Sequence, residues 1–458
     1  MRRIGALVAA AVVAGGLVSV SPVGAQGGGR PGVTDKEVRV GGLASPPSVL
    51  NVPYQDGFAG AKAYFDLVNK KEDGVFGKKL KLVAQLDDQG APSGNIRAVR
   101  SLVEDKKVFA VLPIETNSFA GAKYLADNNI PSFGYNIDAG YCGTQAEVNA
   151  IEDASPNVAG PSGTFEQCPR KSIFGEKGSY LCFKCPALSP AVIAHELGIK
   201  KGAILTYSHP SSTACGDGTK ATFQRYGIDV AFEDRSLQFG FQDASADVQS
   251  MKDAGVKYVT TCMDFGGAFK ISQEMRQAGI TGVKFYAPEG YRQSTIEKYG
   301  DQLNGWIFGL AFAPWQGKQL PDGTKAYLKA MKQRGIKPSE QSQAGWINAA
   351  LLVEGIKKAG ENFTQQSVIA AINGITGWTA DGMLPPINWP TDGHGPAKEA
   401  CNAYVEAKNG KFVPRFGKPG QPFVCYPDNR QPDNLDSPYY RPLKPGETAP
   451  TESTPPAP

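Results

Sequence analysis

The chain has 458 residues, 41% hydrophobic and 20% charged, a balance that suits a globular protein with room for two cores and excludes a disordered or membrane-embedded class. Its formal charge of +4 is spread without a basic stripe, so no nucleic-acid partner is expected.

The chain opens with Arg2 and Arg3, an apolar run from Ile4 to Val20, and Val23 and Ala25 ahead of a cut at Gln26. That order reads as a signal peptide over 1–25, short and glycine-broken for a membrane span. No cysteine stands at the cut for a lipid anchor, so the mature protein is expected to be periplasmic or extracellular. Short apolar runs then predict strands at 38–44, 79–88, 108–113 and 130–136, and again at 202–207, 258–264 and 284–289. Helical periodicity fills the gaps. Ser93 reads as an N-cap for a helix carrying Ile96, Val99, Leu102 and Val103, while Ala244, Val248 and Met251 mark a second stripe and Trp346, Ala349, Ala350 and Val353 a third. Apolar strands alternating with helices predict an α/β fold of two doubly wound parallel-sheet lobes.

Between the two sets of strands, residues 141–186 look inserted, rich in Gly, Ser and Pro and holding four of the eight cysteines. An even cysteine count in an exported chain points to disulfides. The "CFKC" of Cys182 and Cys185 also has zinc-knuckle or redox spacing, with Cys142 and Cys168 as further ligands, but the oxidising setting favours disulfides over a metal. Near the end, Cys401 and Cys425 flank an apparent hairpin, "AYVEAKNGKFVP", with an Asn-Gly turn, and are expected to pair. The Pro-rich stretch over 427–458 reads as a disordered tail.

In open parallel sheets ligands gather at the carboxyl ends of the strands. Asp87 and Asp88 stand at one such end, Glu115, Thr116 and Asn117 at the next, Asn136 and Asp138 after the fourth strand, Tyr207 to His209 at the start of the second half, and Glu289 after the last strand read there. Each alone is as readily a helix cap or loop residue; their recurrence suggests a site. Enzyme signatures are absent: "HELGI" lacks the second zinc histidine, there is no G-x-S-x-G elbow, and adjacent Asp87 and Asp88 point to opposite faces of a strand. No catalytic residue, metal or cofactor is expected. Of the three histidines only His209, in a polar loop, is a candidate ligand contact.

The stretches "VFGKKLKLVAQLDDQGAPSGNIRAVRSLVEDKKVFAVLP", "YLADNNIPSFGY" and "ISQEMRQAGITGVKFYAPEG" resemble, in order and spacing, the type I periplasmic solute-binding proteins of the branched-chain amino-acid group, which serve ABC importers. The resemblance covers about residues 36 to 425. It implies a lobe 1 of 36–140 and 313–395 and a lobe 2 of 141–312 and 396–426, with crossings near Tyr141, near 305–312 and close to 387–396. It further implies a small-molecule ligand held by hinge closure and a membrane permease as partner. Thr116, Asn117, Asn136 and Asp138 would take the ligand's carboxylate, and Glu289 its ammonium. Where relatives carry an aromatic residue before Gly, this chain has "SSTACGDG", leaving Tyr207 or His209 to replace that contact. With an extra acid at Asp138, a cationic, amide-bearing or zwitterionic solute fits as well as a leucine-like one. An extracellular sensor of the same fold is the alternative, and a secreted hydrolase a more distant one.

Overall fold

The computed structural model describes residues 30–47, 52–143, 168–178, 188–391, 393–394 and 399–427. The signal segment, Cys182 and Cys185, most of the 141–186 stretch and the tail from 428 lie outside the described residues.

The first sheet is built from β1 (Glu37–Ala44), α1 (Asp56–Lys71), β2 (Lys79–Asp87), α2 (Pro92–Arg100), β3 (Ala110–Glu115), α3 (Ala122–Asp127), β4 (Ser132–Gly134) and β5 (Ile173–Gly175). Its five strands are parallel, in the order β2-β1-β3-β4-β5. Central β3 is buried at every residue, as a run covered on both faces must be, whereas edge strand β2 buries only Leu80 fully. The α2 start differs from the expected cap. Pro92 takes the first helical turn with Ala91 before it, which puts Ser93 inside the helix, and Ile96 faces solvent.

The second sheet follows from α4 (Leu188–Glu196), β6 (Lys201–Tyr207), α5 (Pro210–Arg225), β7 (Asp229–Leu237), α6 (Ser245–Asp253), β8 (Tyr258–Cys262), α7 (Phe265–Gln277), β9 (Lys284–Ala287), α8 (Gln293–Tyr299) and β10 (Trp306–Leu310). The chain then returns to the first lobe with α9 (Asp322–Gln333), α10 (Glu340–Ala359) and α11 (Gln365–Asn373), and ends on β11 (Glu399–Lys408), β12 (Lys411–Arg415) and β13 (Val424–Pro427) in the second. Strands β6 to β10 are parallel; β11, β12 and β13 add an antiparallel edge. The β11–β12 hairpin turns on Asn409 and Gly410, both at positive φ (50° and 67°), as an Asn-Gly turn of the primed type requires.

One connection differs from the expectation: Ile173–Gly175 pairs with Ser132–Gly134, so part of the Cys-rich stretch beyond Tyr141 joins the first sheet. Trp306–Leu310 is a buried strand of the second sheet, after which the chain passes on to α9. Helix α10 carries the expected Trp346 stripe and packs on α1. The contact is close: a Cβ on Gly60 would stand 1.7 Å from the Ser342 carbonyl oxygen, and one on Gly345 2.0 Å from that of Gly57. Three disulfides are described: Cys142–Cys168, Cys215–Cys262 and Cys401–Cys425. The first withdraws Cys142 and Cys168 from any zinc site, and the last joins partners in register across β11 and β13.

Candidate functional site

Residues that follow strands of the two sheets come within electrostatic reach of one another, as Asp264 and Arg292 act on Tyr54. On the lobe-1 side, Asp88 is 1% exposed and built into the scaffold. It accepts from Ser45 Oγ (3.0 Å), Asn95 Nδ2 (3.2 Å) and the Gly90 N–H (2.8 Å), and Ser45 Oγ in turn accepts from the Asn117 N–H (3.0 Å). That chain fixes the loop after β3. Asp87 only accepts from the Gln89 N–H in the same turn.

Above this scaffold lies a cluster of buried oxygens. Glu115 is fully buried, its two carboxyl oxygens have no hydrogen-bond partner among the described residues, and neither does Thr116 Oγ1 nor Asn117 Oδ1. Burial first, and the Glu176 and Asp56 carboxylates after it, hold the Glu115 carboxyl well above the usual range, with Lys177 opposing. Glu176, after β5, accepts from the Asn136 N–H (3.1 Å) and stands 3.5 Å from Lys177 Nζ, which lies 4.8 Å from the centre of the Tyr135 ring.

In the second lobe Glu289 pairs with Arg292 and accepts from the Phe265 N–H at 3.2 Å, so its carboxylate is occupied from within its own lobe. Asp264 caps α7 through the Gly266 N–H (2.8 Å) and accepts from the Tyr207 hydroxyl (2.5 Å). Electrostatic reach across the cleft is direct. Burial pushes the Tyr54 phenol up, helped by Glu115 of its own lobe and Asp264 of the other, with Arg292 opposing. Glu340, first residue of α10, accepts from the Gly290 N–H and faces Arg292; burial raises its carboxyl to about 7. The Gln293 N–H donates to the Pro338 carbonyl (3.1 Å) across the same boundary.

Of the residues expected from sequence, Thr116, Asn136 and Glu289 are buried and Asn117 is half-buried beside Thr116. Asp138 is drawn into a turn, accepting from the Gly140 N–H (2.7 Å). Tyr207 is buried and tied to Asp264, and His209 is exposed at the rim with its ring 5.7 Å from that of Phe239. Tyr54, Glu176, Lys177, Asp264, Arg292 and Glu340 were not anticipated. Asp264 carries the same strand-end signal as Glu289, at the close of the run 258–264, and Arg292 follows Glu289 by three residues. Glu340 reaches the site only because the chain returns to lobe 1, and nothing local announces that. His394 is distant in role: burial holds it neutral, its value lowered to about 3, against Asn373.

A profile of the periplasmic binding protein family matches residues 37–411. The chain belongs to that family. No curated protein sequence matches it. Solved structures similar to this periplasmic binding protein include a branched-chain amino-acid ABC transporter protein from Thermus thermophilus with bound valine, at 18% identity and TM-score 0.63, covering 83% of this chain and 96% of the other. A solute-binding protein from R. palustris in complex with 4-hydroxybenzoate has 20% identity and TM-score 0.62, covering 86% and 98%. The leucine-binding protein LivK of Thermotoga maritima has 17% identity and TM-score 0.62, covering 82% and 97%. At these identities the likeness is one of fold. Among the described residues no helix is long and apolar enough to cross a membrane, and no cluster of His, Cys, Asp and Glu could hold a metal.

Proposed function

We propose that this periplasmic binding protein captures a small polar solute, an amino acid or amide-like compound, outside the cytoplasm and presents it to the membrane permease of an ABC importer. The observation that carries the reading is the meeting of Tyr54, Glu115 and Glu340 from one lobe with Asp264 and Arg292 from the other around one buried cleft. A solute held by both walls binds the closed arrangement better than the open one, and that difference in affinity is what moves the equilibrium. Taking the population from 1:99 to 99:1 needs about 5.5 kcal/mol of such preference. Desolvated carboxyls and amides favour a solute rich in N–H and O–H groups over a purely apolar one. In this reading the solute is bound and released chemically unchanged.

Melting shifts and calorimetry against amino acids, amides, polyamines and benzoates test the reading. A true ligand at about 100 times its Kd adds about 2.7 kcal/mol of stability. A panel in which nothing shifts the melting temperature contradicts it.

A further inference from the structure

We infer that the lobe-1 floor of the cleft, built on Glu115 with Thr116 and Asn117, receives a cationic ammonium or guanidinium head of the solute, so that the cleft has the opposite polarity to the one its sequence suggests. The inference rests on the solute-binding reading above and specifies its ligand. Three observations carry it. The expected ammonium acceptor, Glu289, is already paired with Arg292 and hydrogen-bonded to the Phe265 N–H. The buried unpartnered atoms of the floor, Glu115 Oε1 and Oε2, Thr116 Oγ1 and Asn117 Oδ1, are all oxygens, able to accept from the several N–H donors of an ammonium or guanidinium. Around Glu115 stand Asp56 from α1 and Glu176 after β5, opposed by Lys177, which is itself engaged by Glu176 and the Tyr135 ring. A metal ion is a poorer occupant, because no metal-holding group of side chains is found among the described residues.

Gly57 marks the cradle: a Cβ there would come 2.6 Å from Glu115 Cγ, so the absence of a side chain on α1 leaves the carboxyl its place. The remaining titratable groups facing Glu115 are the phenols of Tyr54, Tyr135 and Tyr141. Burial and the neighbouring carboxylates hold the Glu115 carboxyl well above its usual range, and a cationic head favours its ionised form. The carboxyl O–H bond breaks, the carboxylate accepts the ligand's N–H, and the proton leaves to the buffer.

The test is calorimetry of the full chain with arginine, citrulline, agmatine, valine, benzoate and Mg²⁺, repeated in two buffers of different ionisation enthalpy. Expected are binding of the guanidinium compounds at least about tenfold tighter than citrulline, net release of protons on binding, and loss of both in Glu115→Gln. Thr116→Val, which removes an unpartnered hydroxyl, should weaken the same ligands several-fold without lowering the melting temperature, and serves if Glu115→Gln fails to fold. Equal affinity for arginine and citrulline, or binding of valine, benzoate or Mg²⁺ alone that Glu115→Gln and Thr116→Val leave unchanged, overturns the inference and leaves solute capture standing. Failure of every solute, in the wider panel as well, overturns the solute-capture reading itself.

Discussion

Arg292 is the cation on which the second wall of the cleft depends, and Arg292→Met removes its charge while keeping an apolar stem of similar reach. Its side chain and that of Glu289 are only 11% and 10% exposed, so solvent screens the pair weakly. With Arg292 gone, Glu289 keeps one backbone N–H, and Glu340 keeps Gly290 while losing the cation that opposes its burial. Breaking a buried pair from one side costs about 3–5 kcal/mol, because the surviving carboxylate is uncompensated. At about 2–4 °C per kcal/mol for a lobe of this size, the melting temperature should fall by roughly 6–20 °C. Scanning calorimetry at neutral pH measures it. The double variant Arg292→Met with Glu289→Met removes both charges and should recover most of the loss. A single variant that loses less than about 1 kcal/mol, the scale of a surface pair, or a double no more stable than the single, refutes the argument.

Three further outcomes follow from the same geometry. Gly345→Ala, which gains about 1 kcal/mol in an open helix, should instead lose about 1–3 kcal/mol because its Cβ meets the Gly57 carbonyl at 2.0 Å; a raised urea midpoint contradicts this. Burial raises the Glu340 carboxyl from 4.5 to about 7, so the wild type is relieved of the ionisation cost below about pH 4.5 and bears it fully above about 7. The urea stability of Glu340→Gln relative to wild type should therefore rise across that window, and a flat difference contradicts the reasoning. Replacing Cys401 and Cys425 together by serine opens a loop whose ends are 24 residues apart in sequence and should cost about 3–4 kcal/mol, read by denaturant unfolding against a wild type kept oxidised; an unchanged midpoint contradicts it.

Much of the fold was legible because buried parallel strands write themselves as apolar runs. The runs at 38–44, 79–88, 202–207, 258–264 and 284–289 all meet observed strands within a few residues. Four strands were not read. Asp229–Leu237 is half-buried at the sheet edge and polar enough to pass for a loop, Ile173–Gly175 and Val424–Pro427 are short, and Trp306–Leu310 lay in a stretch expected to be near a hinge. The site was harder for a different reason. Strand-end position finds residues near the cleft, but whether a carboxyl is spent is decided by partners remote in sequence. Asp88 is consumed by Ser45, 43 residues away, while Glu115, the residue immediately before Thr116, remains unspent. Glu340 enters from a segment 225 residues beyond Glu115, brought there by the chain's return to its first lobe.

Small-angle scattering of the full chain, with and without a solute proven by calorimetry to bind, tests lobe closure most directly. The account predicts a more compact particle on saturation and recovery of the unchanged solute after denaturation. Superimposable profiles at saturation, or a solute chemically altered by its stay in the cleft, would contradict it.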